Sequence, residues 1–190
     1  MNSISMMEES VRTREVENYR LLSDVKRHLR QERLLRDIDD AFKHFGNLDE
    51  TLNLLLTKIN THLSIDASSI YIHDSKKACM RSYCRLGFSN PPDLDISSTL
   101  EKYISKHIQD NALIQVPSLE KAREPAFRLI QKTENLHSFI GIPLFARGQL
   151  IGFLNMFTRS VYSPADEEIE FLKMVGTHTA LAIDSTLMFS

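Results

Sequence analysis

Cysteine and histidine are the side chains best able to do covalent, redox or metal chemistry, and both are sparse here. The only cysteines are Cys79 and Cys84. They stand five positions apart in a segment that reads as one strand. Strand side chains alternate at period two, so this odd spacing sends them to opposite faces unless a bulge lies between them. Without a bulge they cannot form a disulfide or share a metal, and they read as two small hydrophobes. The 7 histidines are scattered, with no H-E-x-x-H, H-x-x-x-H or C-x-x-C spacing, so there is no metal motif. His73 at a strand end and His137 just before a strand read as strand-end residues rather than ligands. The 6 glycines form neither G-x-G-x-x-G nor G-K-[ST], so no phosphate cradle is indicated. Ser163 and Asp166 are explained by helix capping, and no Ser-His-Asp arrangement can be argued.

Asn155 is the polar residue to watch. It sits in an apolar run, Gln149–Thr158, where its amide is a poor packing choice unless it finds partners. A hydrogen bond to nearby backbone is the plain alternative to a ligand contact. Phe153, Asn155 and Phe157 share one strand face, opposite Gly152, Leu154 and Met156. On an earlier strand Tyr71 and His73 share a face opposite Ile70 and Ile72. The candidate pocket residues are therefore Asn155 and Phe153 with Tyr71, Tyr83, Arg85 and Ser138. A pocket built from them would be mostly apolar, with a few convergent polar groups.

Those strands need elements to hold them. Ser10 to about Phe45 has no Pro or Gly and reads as one long helix. Its apolar residues, among them Val11, Leu22, Val25, Leu29, Leu34, Leu35 and Ile38, recur mostly at three or four, while Arg14, Asn18 and Glu32 fall on seam positions. That is an imperfect heptad with a solvated, mixed-charge surface. Gly46 ends this helix and Asn47, with Glu50 three residues on, caps the next, which runs to about His62. Ala67–His73 and Cys79–Phe88 read as a hairpin around Asp74–Lys77, and Asn90-Pro91-Pro92 breaks the chain. Ser98 with Glu101 predicts a helix from there to about Asp110, Leu113–Val116 a short strand, and Glu120–Glu134 a loop with a helical turn or two. Ser138–Ala146 and Gln149–Thr158 form a tight hairpin at Arg147-Gly148. Ser163, as N-cap before Pro164, opens a final helix to about Met188. That helix is apolar on more than one face, so Phe171, Val175 and Ala182, with Leu22, Val25 and Leu29 of the first helix, are candidate dimer-interface residues. Hairpins predominate and no βαβ run appears, which gives an α+β fold with helices on an antiparallel sheet.

Composition removes other classes. The chain has 190 residues, 42% apolar and 25% charged, enough for one core plus an extension. With 23 basic and 25 acidic side chains its formal net charge is −2, which favours neither nucleic acid nor an anionic membrane. No stretch approaches the roughly 20 apolar residues of a membrane span. Glu8 and Glu9 stand where a signal peptide would be basic, so a cytoplasmic protein with reduced thiols is expected.

The order of elements and the wording of the last third resemble a GAF domain. The carrying residues are Ser138–Leu144 (SFIGIPL), Gly148, Leu150–Asn155 (LIGFLN), Phe157, Tyr162-Ser163, Asp166-Glu167-Glu168, Phe171-Leu172 and Thr179–Ile183. Leu48–His62 followed by Ser69–Asp74 also looks like the start of such a domain. The resemblance covers about residues 35–190 and leaves 1–34 as an N-terminal signalling and dimerisation helix. It implies an antiparallel sheet of five or six strands, with N- and C-terminal helices on one face and a helix- and loop-covered pocket on the other. It also implies a small-molecule sensor without catalysis of its own, forming a homodimer that regulates an output module. The chain reaches Ser190 without a Gly or Pro stop, so the final helix is expected to continue into a kinase, cyclase, phosphodiesterase or transcriptional activator. The ligand is unknown. The middle helix has Ser105-Lys106-His107 without the Cys of the bilin-binding branch. Asp166-Glu167 and Tyr162 match the cyclic-nucleotide branch but its Asn-Lys pair is absent. Two alternatives stay open: a ligand-free dimerisation module, and an enzyme of the free methionine sulfoxide reductase type, which two cysteines so placed fit poorly.

Overall fold

The register of the sheet starts from one tight turn. Arg147 (φ 52°) and Gly148 (φ 75°) both occupy the left-handed region, the geometry of a two-residue hairpin whose twist matches its strands. Ala146 therefore pairs with Gln149, and a one-residue bulge that skips Ile151 then sets Ser138 opposite Thr158. In this computed structural model, which describes residues 3–44, 47–74, 79–89, 94–107 and 112–188, the order is α1 (Ser3–His44), α2 (Leu48–Leu63), β1 (Ala67–Asp74), β2 (Cys79–Leu86), α3 (Leu94–His107), β3 (Ile114–Val116), α4 (Pro125–Glu134), β4 (Ser138–Ala146), β5 (Gln149–Thr158) and α5 (Asp166–Met188). The five strands form one sheet in the order β2-β1-β5-β4-β3, antiparallel at every pairing.

Period-two alternation divides the sheet chemically. Ile70, Ile72, Ile140, Ile142, Leu144, Leu154 and Met156 point toward α1, α2 and α5 and are buried with Leu34, Ile38, Leu55, Ile59 and Val175. Each such side chain contributes about 1.5–3 kcal/mol when fully buried. Tyr71, Phe139, Phe153 and Phe157 point the other way, toward Leu100 and Ile104 of α3 and Phe127 and Ile130 of α4. Gly176 lets α5 lie close on β4, since a Cβ there would meet Ile142 Cγ2 at 2.5 Å.

α1 is two helices in one. Leu34, Ile38 and Ala41 are buried, and Asp24, Arg27 and Gln31 continue the same face as half-buried residues. The spacing of three and four keeps them in one stripe on the domain. Residues 6–23 are all exposed. Leu22, Val25 and Leu29, on the side opposite the docked stripe, keep 57%, 54% and 59% of their surface exposed. Arg27 Nη2 reaches Asp24 and Glu167 at 3.1 Å, and His178 Nδ1 lies 2.8 Å from Asp39 Oδ1, so α1 and α5 are also joined at their polar edges.

Several expectations need correction. Phe171 (7% exposed) and Val175 (0%) belong to the chain's own core, because the sheet-facing stripe of α5 claims them; exposed apolar residues on α5 are Met174, Leu181 and Leu187, with Ala182 half-buried between. Residues 125–134 are a full helix, with Pro125 in its first turn and Phe127 and Ile130 docked in the core. α3 begins at Leu94, so Ser98 lies inside it, and Glu101 accepts the Met80 N–H (3.0 Å). α5 begins at Asp166: Glu168 accepts the Ala165 N–H (3.0 Å) and Ala165 O accepts from Ile169, which makes Ala165 the cap in place of Ser163. Asn47 does cap α2, accepting from the Asp49 N–H (3.0 Å). Gly46, most of the Asp74–Lys77 turn, Asn90-Pro91-Pro92, residues 108–110 and the end at Ser190 lie outside the described residues.

Candidate functional site on the aromatic face of the sheet

The register of the strands places four residues in one row across the sheet. Arg85 pairs with Ser69, Ser69 with Asn155, and Asn155 with Gly141. Aromatic rows flank it: Ala67–Phe157–Phe139 on one side and Tyr71–Phe153 on the other. The polar row is thus the central strip of an otherwise aromatic surface.

Asn155 is completely buried. Its Nδ2 donates to Ser69 Oγ at 3.4 Å, and its Oδ1 has no partner. Exchanging the amide O and N leaves the same count, with one of the two atoms bonded to Ser69. A buried polar atom left unpartnered costs about 1–3 kcal/mol. The backbone bond expected as the plain alternative is therefore not what holds this side chain.

Rings surround the row. A Cβ on Gly141 would meet Phe139 Cζ at 2.9 Å, so the Phe139 ring closes over that glycine. Phe139 lies 5.1 Å from Phe127 and 5.0 Å from Phe157, centroid to centroid, and Tyr103 meets Phe127 edge-on at 4.8 Å. Phe88 meets Phe157 edge-on at 5.6 Å, and the Arg85 guanidinium stacks 4.3 Å over Phe88. Offset and edge-on contacts of this kind suit ring quadrupoles, and the arginine adds a cation–π contact. Burial, helped by Glu124, pushes the Tyr103 hydroxyl above its ordinary value, so it stays a neutral donor.

The expected site residues divide. Asn155, Phe153, Tyr71 and Arg85 come together in and beside the polar row. Ser138 does not: in β4 it shares the face of Ile140 and Ile142, and its hydroxyl pairs with that of Thr158. Two strand steps of alternation decide this. The side chain of Tyr83 lies outside those described. Ser69 and Gly141 were not anticipated: Ser69 meets Asn155 through the pairing of distant strands β1 and β5, and Gly141 through a β4–β5 register that a bulge shifts by one residue.

Cysteine chemistry fares poorly. Ile70 pairs with Cys84 but Tyr71 with Ser82, so the ladder skips Tyr83 and a bulge does lie between the cysteines. Cys79 and Cys84 pair with Asp74 and Ile70, four ladder steps apart, about 13 Å along the strand and beyond disulfide reach. Burial pushes the Cys84 thiol up to about 12, and a protonated thiol is a weak nucleophile and a weak metal ligand. Among the described residues no group of three or more His, Cys, Asp or Glu could hold a metal. No helix among them is long and apolar enough to cross a membrane. The row itself is covered: Asn155, Phe139, Phe153 and Phe157 are each at most 1% exposed.

Comparison with known proteins agrees with this architecture. A family model described as "GAF domain" matches residues 46–184. The phosphoenolpyruvate-dependent phosphotransferase system protein of Escherichia coli K12 is 25% identical over 155 residues, 80% of this chain and 20% of its own length. The chain thus spans about one fifth of the curated relatives it matches. The GAF domain of a phosphoenolpyruvate-protein phosphotransferase from Coxiella burnetii superposes with a TM-score of 0.62 at 22% identity, covering 85% of this chain and 96% of that one. Free methionine-R-sulfoxide reductase from Neisseria meningitidis, in complex with its substrate, gives a TM-score of 0.67 at 13% identity over 87% and 94%. At these identities the structural likeness is one of fold.

Proposed function

The chain belongs to the GAF domain family, and on that premise we propose that it is a sensory and regulatory domain without catalysis of its own. In this reading it forms a cytoplasmic homodimer through its terminal helices and biases an output module linked to it in a longer protein. The phosphotransferase relatives supply one kind of output; a kinase, cyclase, phosphodiesterase or transcriptional activator are others.

The observation that carries the reading is the double character of α1. Its last third is built into the domain core, while its opposite side bears the exposed stripe Leu22, Val25 and Leu29. A helix fixed on one side and apolar on the other is suited to pair with its equivalent in a second copy. A molecule taken up on the aromatic face would act only through its different affinity for two arrangements of that pair. Asn155, with an amide atom left open in a buried apolar setting, supports uptake there, with Tyr71, Phe153 and Arg85 as lining residues.

Sedimentation equilibrium of the full chain tests the dimer. A dimer at tens of micromolar is expected, and Leu22→Asp with Leu29→Asp should shift it to monomer by at least tenfold in Kd while leaving thermal unfolding within about 1 kcal/mol. A wild-type monomer at that concentration would sink the proposal.

A further inference from the structure

A concavity lies on the aliphatic face of the sheet, at the joint where α1 meets the end of α2 and the start of α5. Its volume is about 210 Å³. For scale, an engineered apolar cavity of about 150 Å³ accepts benzene. Its apolar side is made by Leu34, Ile65, Met156, Phe171 and Leu172, and polar side chains line the rest.

The polar groups around it are unevenly spent. On the acceptor side, Glu168 receives the Tyr162 hydroxyl at 3.4 Å and the Ala165 N–H at 3.0 Å. His62 leans on Asp37, 3.4 Å away. The donor side has capacity left. Arg27 Nε is buried without a partner, although its Nη2 is held by Asp24 and Glu167. Arg30 has one bond, Nε to Lys26 O at 3.3 Å, and no carboxylate partner among the described residues. Gln31, next to Arg30 on the same helix, also lines the cavity, without a side-chain bond among those residues. An apolar hollow with surplus N–H donors along one rim matches a ligand with an apolar body and an acceptor-only, negatively charged end.

We propose that this cavity is a binding site for a small monocarboxylate whose body is a single ring or a branched aliphatic group. The carboxylate pairs with Arg30 and accepts from Arg27 Nε, and the body lies against Met156 and Phe171. Such a ligand touches α1, α2, β5 and α5 at once, so its binding favours the docked position of α1. The site is separate from the Asn155 row and requires no ligand there.

Sodium benzoate is a suitable probe, titrated into the full chain by heteronuclear NMR at ionic strength held constant with sodium chloride. Saturable shifts centred on Leu63, Met156 and Phe171 are expected, with Kd on the order of 1 mM. Benzyl alcohol, of nearly the same shape but neutral, and inorganic phosphate, charged but without an apolar body, should each bind at least tenfold more weakly. Arg30→Gln should weaken benzoate about tenfold, while Arg36→Gln, the same charge change elsewhere on α1, should leave it unaltered. Benzoate should also slow amide exchange at residues 27–34. Lack of saturation in the wild type, equal affinity for benzyl alcohol, unchanged binding in Arg30→Gln, or shifts centred on Asn155 and Phe153 would each overturn the proposal. The alcohol comparison uses the wild-type chain and stands whatever a variant does to folding.

Discussion

The two faces of the sheet are made of the same strands and differ in kind. The face under α1, α2 and α5 is aliphatic, with Ile140, Ile142, Leu144, Leu154 and Met156 along β4 and β5 and the Ser138–Thr158 hydroxyl pair at one end. The face under α3 and α4 is aromatic and carries a buried amide with an open atom at its centre. Aliphatic side chains interdigitate and hold helices in one place. Rings set edge-on or tilted leave a polar strip between them, and there one atom of the buried amide stays without a partner.

Leu154 and Asn155 are adjacent residues of β5 that point to opposite faces of the sheet. Leu154→Ala should cost about 3 kcal/mol in urea unfolding, as fully buried leucines do. Asn155→Ala should cost about 1 kcal/mol or less, because the side chain is held by one long bond and removing it also removes an unpartnered atom. A loss near 3 kcal/mol at Asn155 would make it a structural residue and leave the aromatic face without a reason to be polar. Between these two in size is a pH effect on the aliphatic face. The folded Cys84 thiol titrates near 12 and the unfolded one near 9.0, so its stabilisation is fully present below pH 9 and is lost as pH rises toward 12. From pH 9 to pH 10 the wild type should therefore lose about 1 kcal/mol more than Cys84→Ala, measured by denaturant unfolding at each pH. Equal slopes would show that Cys84 is less buried in solution than in the structure.

Local pattern made much of the fold legible before any coordinates. The β4–β5 turn, α2 and the division of side chains along Ser138–Leu144 and Gly152–Thr158 follow from turn chemistry and period, whereas Leu150 and Ile151 lie beyond a bulge that reverses the parity. α4 escaped because a ten-residue helix is marginal by itself. Its stability comes from docking Phe127 between Tyr103 of α3 and Phe139 of β4, which is not a local property. Asn155 was visible as an oddity, but its partner Ser69 lies 86 residues away and is brought near only by the β1–β5 register. The bulge that skips Tyr83 leaves no local signature, and parity counted through it gave the wrong relation between the cysteines. Arg27 and Arg30 looked like ordinary solvated charges, since nothing in α1 itself marks which side meets α5.

α1 is anchored from Asp24 to Ala41 and stands clear of the domain before that. At 1.5 Å per residue, the free portion back to Ser3 is a rod about 32 Å long. A tilt of about 10° at the anchor would carry its far end through roughly 5 Å, about one helical turn. A rod of that length therefore converts a small change of angle where α1 leaves the domain into a sideways displacement several times larger at its far end.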